Sequence, residues 1–394
     1  MGETSPSVRE GLRSDLNIVH VTQHYYPNIG GIETVVRNIA EEQARQGDDV
    51  YVVTRGANHL EETLNDVRIH RIRGVSIAGQ PDLTVPLEIP VDVLKKAFIV
   101  HVHSHNSLFN LGIALKAKVL GTKIVTHFMA VDTLREHPSP VVRSLGPFYQ
   151  SMITRTMLNL SDIVLAKSHR DLLLLRRRYK ARPVYVPDGI GLHYFSEPSN
   201  PFLFRKRYHI HEDVILLFIG RLHPSKGPQT LISAIPYMLS EYRHVKVVFI
   251  GPGNQDWLKQ LARRLGVQQY VLFAGVVNEM MKLSAIDASR CVIVPSMYDF
   301  VEVFSLVSSE AWARGKPVVA TPVGELAYRV KNGVNGLLFY PGDAEGLGKA
   351  LLKLGRTNFR INEKLYLWKD IAASLREIYM RAHHQGSFVQ GPCS

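Results

Sequence analysis

Two cations stand five residues apart in "GRLHPSKG" (220–227), between the apolar run "DVILLFI" and a helix-like "PQTLISAIPYML". Arg221 and Lys226 at the carboxyl end of a core strand would hold a phosphate by two charge-assisted contacts. Exposed turn cations are also commonly just solvated. Further on, "DFVEVFSLVSSEAWARGKPVVATPVG" carries Glu302 and Glu310 with seven residues between them. Glu302 falls in a loop and Glu310 in the first turns of a helix, whose entry Phe304, Leu306 and Val307 make apolar. A helix amino terminus offers N–H donors to a diphosphate, and carboxylates accept from sugar or ribose hydroxyls. A helix cap plus a surface glutamate would give the same spacing. In "QHYYPNIGGIETVV", Gly30 and Gly31 precede a helix; they admit a ligand close to the backbone, or simply make a turn. Neither the dinucleotide fingerprint nor a P-loop occurs. His101, His103 and His105 share one alternating face and read as polar strand-end residues facing a cleft, not as metal ligands.

These residues need elements to position them, and strands and helices alternate along the chain. "NIVHVT", "DVYVVT", "IVHVHS", "KIVTH", "DIVLAKS" and "PVYVP" read as short buried strands. The series restarts with "VILLFIG", "KVVFIG", "VLFAG", "CVIVPS" and "PVVAT". Such alternation predicts two parallel-sheet α/β domains, divided in the turn-rich loop 188–201. Open sheets of this kind bind ligands beyond the carboxyl ends of their strands, where the candidate residues lie. In the first helix Val36, Ile39, Ala40 and Ala44 form a stripe, and Gly47 fits a carboxyl-terminal cap. A last helix over 362–384 carries Leu365, Leu367, Trp368, Ile371, Leu375 and Ile378; it either covers its own domain or returns to the first. The tail after it reads as disordered.

At 394 residues the chain exceeds one ordinary core. No apolar run approaches the roughly 18–20 residues that span a bilayer, and the polar start has neither a signal-peptide core nor a myristoylation pattern. Two cysteines, Cys291 and Cys393, build neither a disulfide framework nor a zinc site, so a reducing cytosol is expected. The net charge of +12 implies an anionic partner. Between Arg135 and Arg182 ten Lys or Arg face three Asp or Glu. Nucleic acid lacks any accompanying motif here. An anionic membrane face, with Leu172 to Leu175 or nearby aromatics dipping in, and a merely solvated surface both fit.

Taken in order, G-R-L-x-x-x-K-G, E-x7-E, A-x-G-x-P-V-V-A-T and N-G-x-x-G-L-L (332–338) resemble the retaining glycosyltransferases of family 4, over about residues 16–380. "YYPNIGGIE" and "HVHSH" look most like the phosphatidylinositol glycosyltransferase branch. The resemblance implies the GT-B fold: two Rossmann-like parallel-sheet α/β domains facing a central cleft, with a C-terminal helix crossing back. It implies an acceptor-binding domain over 16–195, a nucleotide-sugar domain over 196–360 and the returning helix over 361–384. It further implies a metal-independent hexosyl- or N-acetylhexosaminyltransferase without cofactor, using a UDP- or GDP-linked donor. The acceptor would be a lipid, lipid-linked sugar or glycan, reached from the cytoplasm or its membrane face.

By position, Arg221 and Lys226 would neutralise the diphosphate, Glu310 would bind ribose, and Glu302 would hold the donor sugar with the N–H groups of Phe304, Ser305, Leu306 and Val307. Gly30 and Gly31 would approach the diphosphate from the other domain, and His127 would contact the sugar near the transferred carbon. Ser305 and Glu325 stand where the family usually has glycine, Tyr328 replaces a common Glu, and Asp188 and Gly191 also depart from the pattern. "VTHFM" replaces the commoner T-x-H around His127. A binding protein of this fold without activity, its "GEL…Y" loop altered, and a nucleotide-sugar epimerase are the alternatives.

Overall fold

The computed structural model describes residues 15–28, 30–77, 83–137 and 139–384. The tail 385–394, with Cys393, and the first fourteen residues lie outside them. Two compact units are present. The first holds the described residues through Phe128 with 151–165 and 369–384; the second holds 129–150 and 166–368. Residues 129–150 and 166–195 group with the second unit.

In the first unit, β1 (Asn17–Val21), β2 (Asp49–Gly56), β4 (Val67–Ser76), β6 (Ile99–His103), β7 (Lys123–Phe128) and β8 (Ile163–Ala166) form a sheet in the order β4-β2-β1-β6-β7-β8. Two further strands, β3 (Leu60–Leu64) and β5 (Thr84–Pro86), pair antiparallel with β4. These additions were not read from sequence. "LEETL" exposes four of its five residues and has no apolar face to report. "VRIHRIRGVS" buries Val67, Ile69 and Ile72 but intersperses three arginines, which masks its period. The helix Gly31–Arg45 buries Val36, Ile39 and Ala40, and Gly47 ends it with a φ of +97° as its N–H reaches Ala44.

In the second unit β9 (Val184–Tyr185) precedes an all-parallel sheet of β10 (Val214–Ile219), β11 (Val245–Ile250), β12 (Val271–Gly275), β13 (Cys291–Val294), β14 (Val318–Ala320) and β15 (Gly336–Leu338). Its order is β12-β11-β10-β13-β14-β15. Alternate residues enter opposite cores. Leu216, Phe218, Val247, Phe249 and Ile293 face one side, while Ile215, Leu217, Val248, Ile250 and Val292 face the other. Burial on both faces explains why these strands read as unbroken apolar runs.

The last helix is shorter than the sequence suggests, Trp368–His384. Residues before it stay extended because Ile190 takes their backbone bonds: its N–H reaches the Tyr366 carbonyl at 2.8 Å, and its carbonyl accepts from Trp368 at 3.2 Å. From Lys369 on, the helix belongs to the first unit, burying Ile371, Leu375 and Tyr379. Its Arg376 pairs with Asp48 at 3.1 Å and His383 stacks on Phe98 at 3.8 Å.

Candidate active site

Counted from β10, the second sheet runs 3-2-1-4-5-6, so its topology reverses between β10 and β13, where open α/β sheets bind ligands. The loops after those two strands carry Arg221 and Lys226 on one side and Glu302 on the other. They are tied to each other. The Met297 N–H donates to the Ser225 carbonyl at 2.9 Å. Gly227 turns left-handed at φ +72°, where a Cβ would lie 1.9 Å from the Pro295 carbonyl oxygen; only glycine lets the loops close.

Lys226 and Glu302 meet directly. The Lys226 Nζ lies 2.6 Å from Glu302 Oε1 and also donates to the Val301 carbonyl at 3.2 Å. Ser296 donates to the same carboxylate oxygen at 2.7 Å. The Glu302 side chain is only 4% exposed and that of Lys226 23%, so a buried carboxylate is balanced by a partly open cation. Arg221 is exposed, and its guanidinium makes no ion pair among the described residues.

Glu310 lies on the helix Leu306–Ala313, as its spacing predicts. Its Oε1 pairs with Lys282 at 2.9 Å, while Oε2 is buried without a hydrogen-bond partner. Burial depresses the Lys282 ammonium, but the carboxylates of Glu310 and Glu279 outweigh it and raise the pKa. A buried acceptor without a donor is costly, and a ligand hydroxyl would satisfy it. Phe304 is buried, and Leu306 and Val307 are half-buried at the helix entry. Ser305 caps this helix at φ +67°, a left-handed conformation that costs a non-glycine residue roughly 1–2 kcal/mol. Its hydroxyl shares a 2.8 Å hydrogen bond with Ser308.

The residues holding this loop escaped the sequence reading. Glu325, where the family pattern has glycine, is fully buried and accepts from the His169 N–H and Nδ1, each at 2.7 Å, and from Tyr185 at 3.3 Å. Its own N–H donates to the Glu302 carbonyl at 2.9 Å. Burial raises the Glu325 carboxyl pKa, against these His169 bonds. Next to His169, Arg170 pairs with Asp299 at 2.8 Å, and the other Asp299 oxygen accepts from the Gly324 N–H at 2.8 Å. Arg329 donates to the Phe304 carbonyl and Ser309, its guanidinium 4.2 Å from the Phe304 ring centre. Lys282, Ser296, His169 and Arg329 carry no motif; only the oddity of Glu325 in a glycine position pointed here.

The other expected residues lie in the first unit. Gly30 is the extended N-cap of the helix Gly31–Arg45 and Gly31 its first residue, with open space where a Cβ would stand. His127 is buried on β7, in register with His103. His101, His103 and His105 are buried, each at most 1% exposed, within the first unit. Tyr379 on the last helix lies over His101, its hydroxyl oxygen 2.7 Å from Nδ1.

The basic segment is less uniform than its count. Lys167 forms a buried pair with Asp188 at 2.9 Å, and Arg170 and Arg178 pair with Asp299 and Asp132. Arg176 and Arg177 are exposed. Leu175 is fully buried and cannot dip into a membrane. Val141, Leu145 and Phe148 instead line one helix face and are 67%, 67% and 78% exposed. No described helix is long and apolar enough to cross a membrane.

Residues 213–356 match the family described as glycosyl transferases group 1, and residues 29–194 match glycosyltransferase family 4. An uncharacterised glycosyltransferase of Methanocaldococcus jannaschii is 28% identical over 398 residues, covering 92% of this chain and 98% of that protein. A D-inositol 3-phosphate glycosyltransferase of Streptomyces griseus is 30% identical over 401 residues, 89% of this chain and 83% of the relative. Among solved structures, Anabaena HepE in complex with UDP and glucose superposes with a TM-score of 0.72 at 18% identity, over 93% of this chain and 99% of that one.

Proposed function

This chain belongs to the family 4, group 1 glycosyltransferases and has the GT-B fold, and we propose that it moves a sugar from a UDP- or GDP-linked donor to an acceptor with retention of anomeric configuration. The observation that carries the reading is the Lys226–Glu302 pair at the β10/β13 reversal, beside a helix amino terminus. Lys226 and Arg221 neutralise the departing diphosphate, and the first turn of the helix Leu306–Ala313 adds backbone donors. Glu302 orients hydroxyls of the sugar. The partnerless Glu310 Oε2 accepts from ribose. Because cations and helix amides take up the leaving-group charge, the transfer needs no divalent ion. An oxygen of the departing phosphate takes the acceptor proton as the acceptor attacks on the face the donor leaves.

The acceptor is a lipid, a lipid-linked sugar or a glycan, and the protein works on an anionic membrane face. Exposed Arg176 and Arg177 and the apolar row Val141, Leu145 and Phe148, all in the second unit, support that placement. The test is a thermal-shift and turnover screen of the full chain against UDP-, GDP- and ADP-sugars in excess EDTA, with NMR of the product anomer. One donor class should stabilise the protein and be consumed with retention. A protein that neither binds nor consumes any of them refutes the proposal, and a need for magnesium or manganese refutes its metal-free form.

A further inference from the structure

Four imidazoles lie side by side in the core of the first unit, where the sheet calls for apolar residues. His20 on β1 is flanked by Val19 and Val21, and the register sets it opposite His101 on β6. His103, two residues along the same strand, therefore shares that face, and His127 on β7 pairs with His103. His20, His101 and His103 are each at most 1% exposed. One ring nitrogen from each lies within 4.8 Å of the other two. His20 Nδ1 stands 2.9 Å from His103 Nε2.

The other nitrogens are held from outside. Gln43 Oε1 is 2.7 Å from His20 Nε2, and since a carboxamide oxygen only accepts, His20 carries its proton on Nε2 and turns the Nδ1 lone pair toward His103. Tyr379 oxygen is 2.7 Å from His101 Nδ1, and the Gln43 amide donates to the same hydroxyl at 3.4 Å. A histidine that binds a metal through one nitrogen generally has the other fixed by such a partner, which sets tautomer and ring orientation. The Gln43–His20 and Tyr379–His101 pairs supply that outer layer before any ion arrives.

We propose that His20 Nδ1, His101 Nε2 and His103 Nε2 form a three-histidine site for a divalent transition metal, best suited to zinc, beneath the last helix. Three neutral imidazoles with a fourth place for water or a small anion is a donor set zinc accepts. Zinc–nitrogen bonds of about 2.0–2.1 Å at tetrahedral angles need nitrogens about 3.3 Å apart, so the widest gap must close by at most about 1.5 Å through ring rotation. The His20–His103 pair is already within that distance. Without metal the proton between them sits on His103 Nε2; binding moves it to Nδ1 of the same ring, and no net proton is released. Coordination makes the His101 Nδ1–H a stronger donor to Tyr379, fastening the helix Trp368–His384 to its sheet. The ligands belong to the first unit and the Lys226–Glu302 pair to the second, so this inference does not rest on the proposed transfer chemistry.

The test uses tag-free full-length protein dialysed against zinc, desalted and assayed for bound metal, with cobalt(II) as a spectroscopic probe. One equivalent of zinc, visible cobalt bands and a melting temperature several degrees higher than after chelation are expected. His20→Gln and His101→Gln should each reduce bound metal at least tenfold, whereas His59→Gln, at an exposed position, should not. If a variant fails to fold, competition of wild type against chelators of graded affinity still measures the site. Wild-type protein that retains no zinc above the His101→Gln level, or cobalt without ligand-field bands, overturns the proposal and leaves a hydrogen-bonded imidazole network.

Discussion

Replacing Lys226 by alanine probes both halves of the donor-site argument. The substitution removes an ammonium 2.6 Å from Glu302 Oε1 and leaves that carboxylate with Ser296 as its remaining side-chain donor. Breaking a fully buried ion pair costs about 3–5 kcal/mol, but Lys226 keeps 23% of its side chain in water and solvent will enter its place. A stability loss of about 1–2 kcal/mol follows after that screening. Its electrostatic role in the transition state is larger. Removing one preorganised donor to a developing anion typically costs about 2.7–4 kcal/mol, or 10²–10³ in kcat. The two costs separate by assay. Thermal or urea unfolding reports the first, and kcat with saturating donor, measured well below the unfolding transition, reports the second. Lys226→Ala should lose two to three orders of magnitude in kcat while still folding. Arg221, exposed and without an ion pair among the described residues, gives the control: Arg221→Ala should reduce turnover without lowering stability. If Lys226→Ala unfolds more easily yet keeps kcat within threefold, the pair is structural and the diphosphate assignment falls.

Glu310→Gln should weaken donor binding by about 10–150-fold, the range for losing a hydrogen bond to a charged group, and the penalty should vanish with a donor whose ribose hydroxyls are removed. An equal penalty with the deoxy donor would assign Glu310 to Lys282 alone. Binding to anionic vesicles should fall steeply with salt, and Arg176→Gln with Arg177→Gln should weaken it about 30-fold at about 1 kcal/mol per charge. Leu145→Ser with Phe148→Ser should weaken it independently of salt; a protein indifferent to vesicles at low salt ends the membrane placement. Asp171 gives the pH dependence, because burial raises its carboxyl pKa to about 6 against the Val131 and Ala130 N–H bonds. Between the unfolded value near 3.8 and about 6 the native state holds the extra proton, so stability contributed by this group falls as pH rises through that window. Asp171→Asn should flatten the fall, worth up to about 3 kcal/mol, in urea unfolding at pH 4 and 6.5; an unchanged slope would show that Asp171 ionises normally.

Much of the fold is a local property of the chain and was legible as such. Eleven strands announce themselves as short apolar runs, β1, β2 and β6 to β14, and most of them are buried on both faces, which needs nothing but short-range pattern. The loop signatures around Lys226, Glu302 and Glu310 were equally plain, since turn glycines and a helix entry are written within a few residues. What the sequence left open depends on partners far along the chain. The strands β3 and β4 exist because β2 offers an edge, and "LEETL" has no period of its own. The helix begins at Trp368 because Ile190, far upstream, captures the preceding backbone. Spacing put Glu310 on its helix, but only packing brings Lys282 to one of its oxygens and closes burial over the other. Glu325 read as a lapse from the glycine pattern, and its partners His169 and Tyr185 come from distant segments. The histidines show the division most sharply. Alternation along β6 placed His101 and His103 on one face, but only the β1–β6 register puts His20 beside them, and only tertiary packing sets Gln43 and Tyr379 over their outer nitrogens. Periodicity fixes the side of an element a residue occupies; what it meets there is decided by the order of strands and the helices laid across them, which no local pattern encodes.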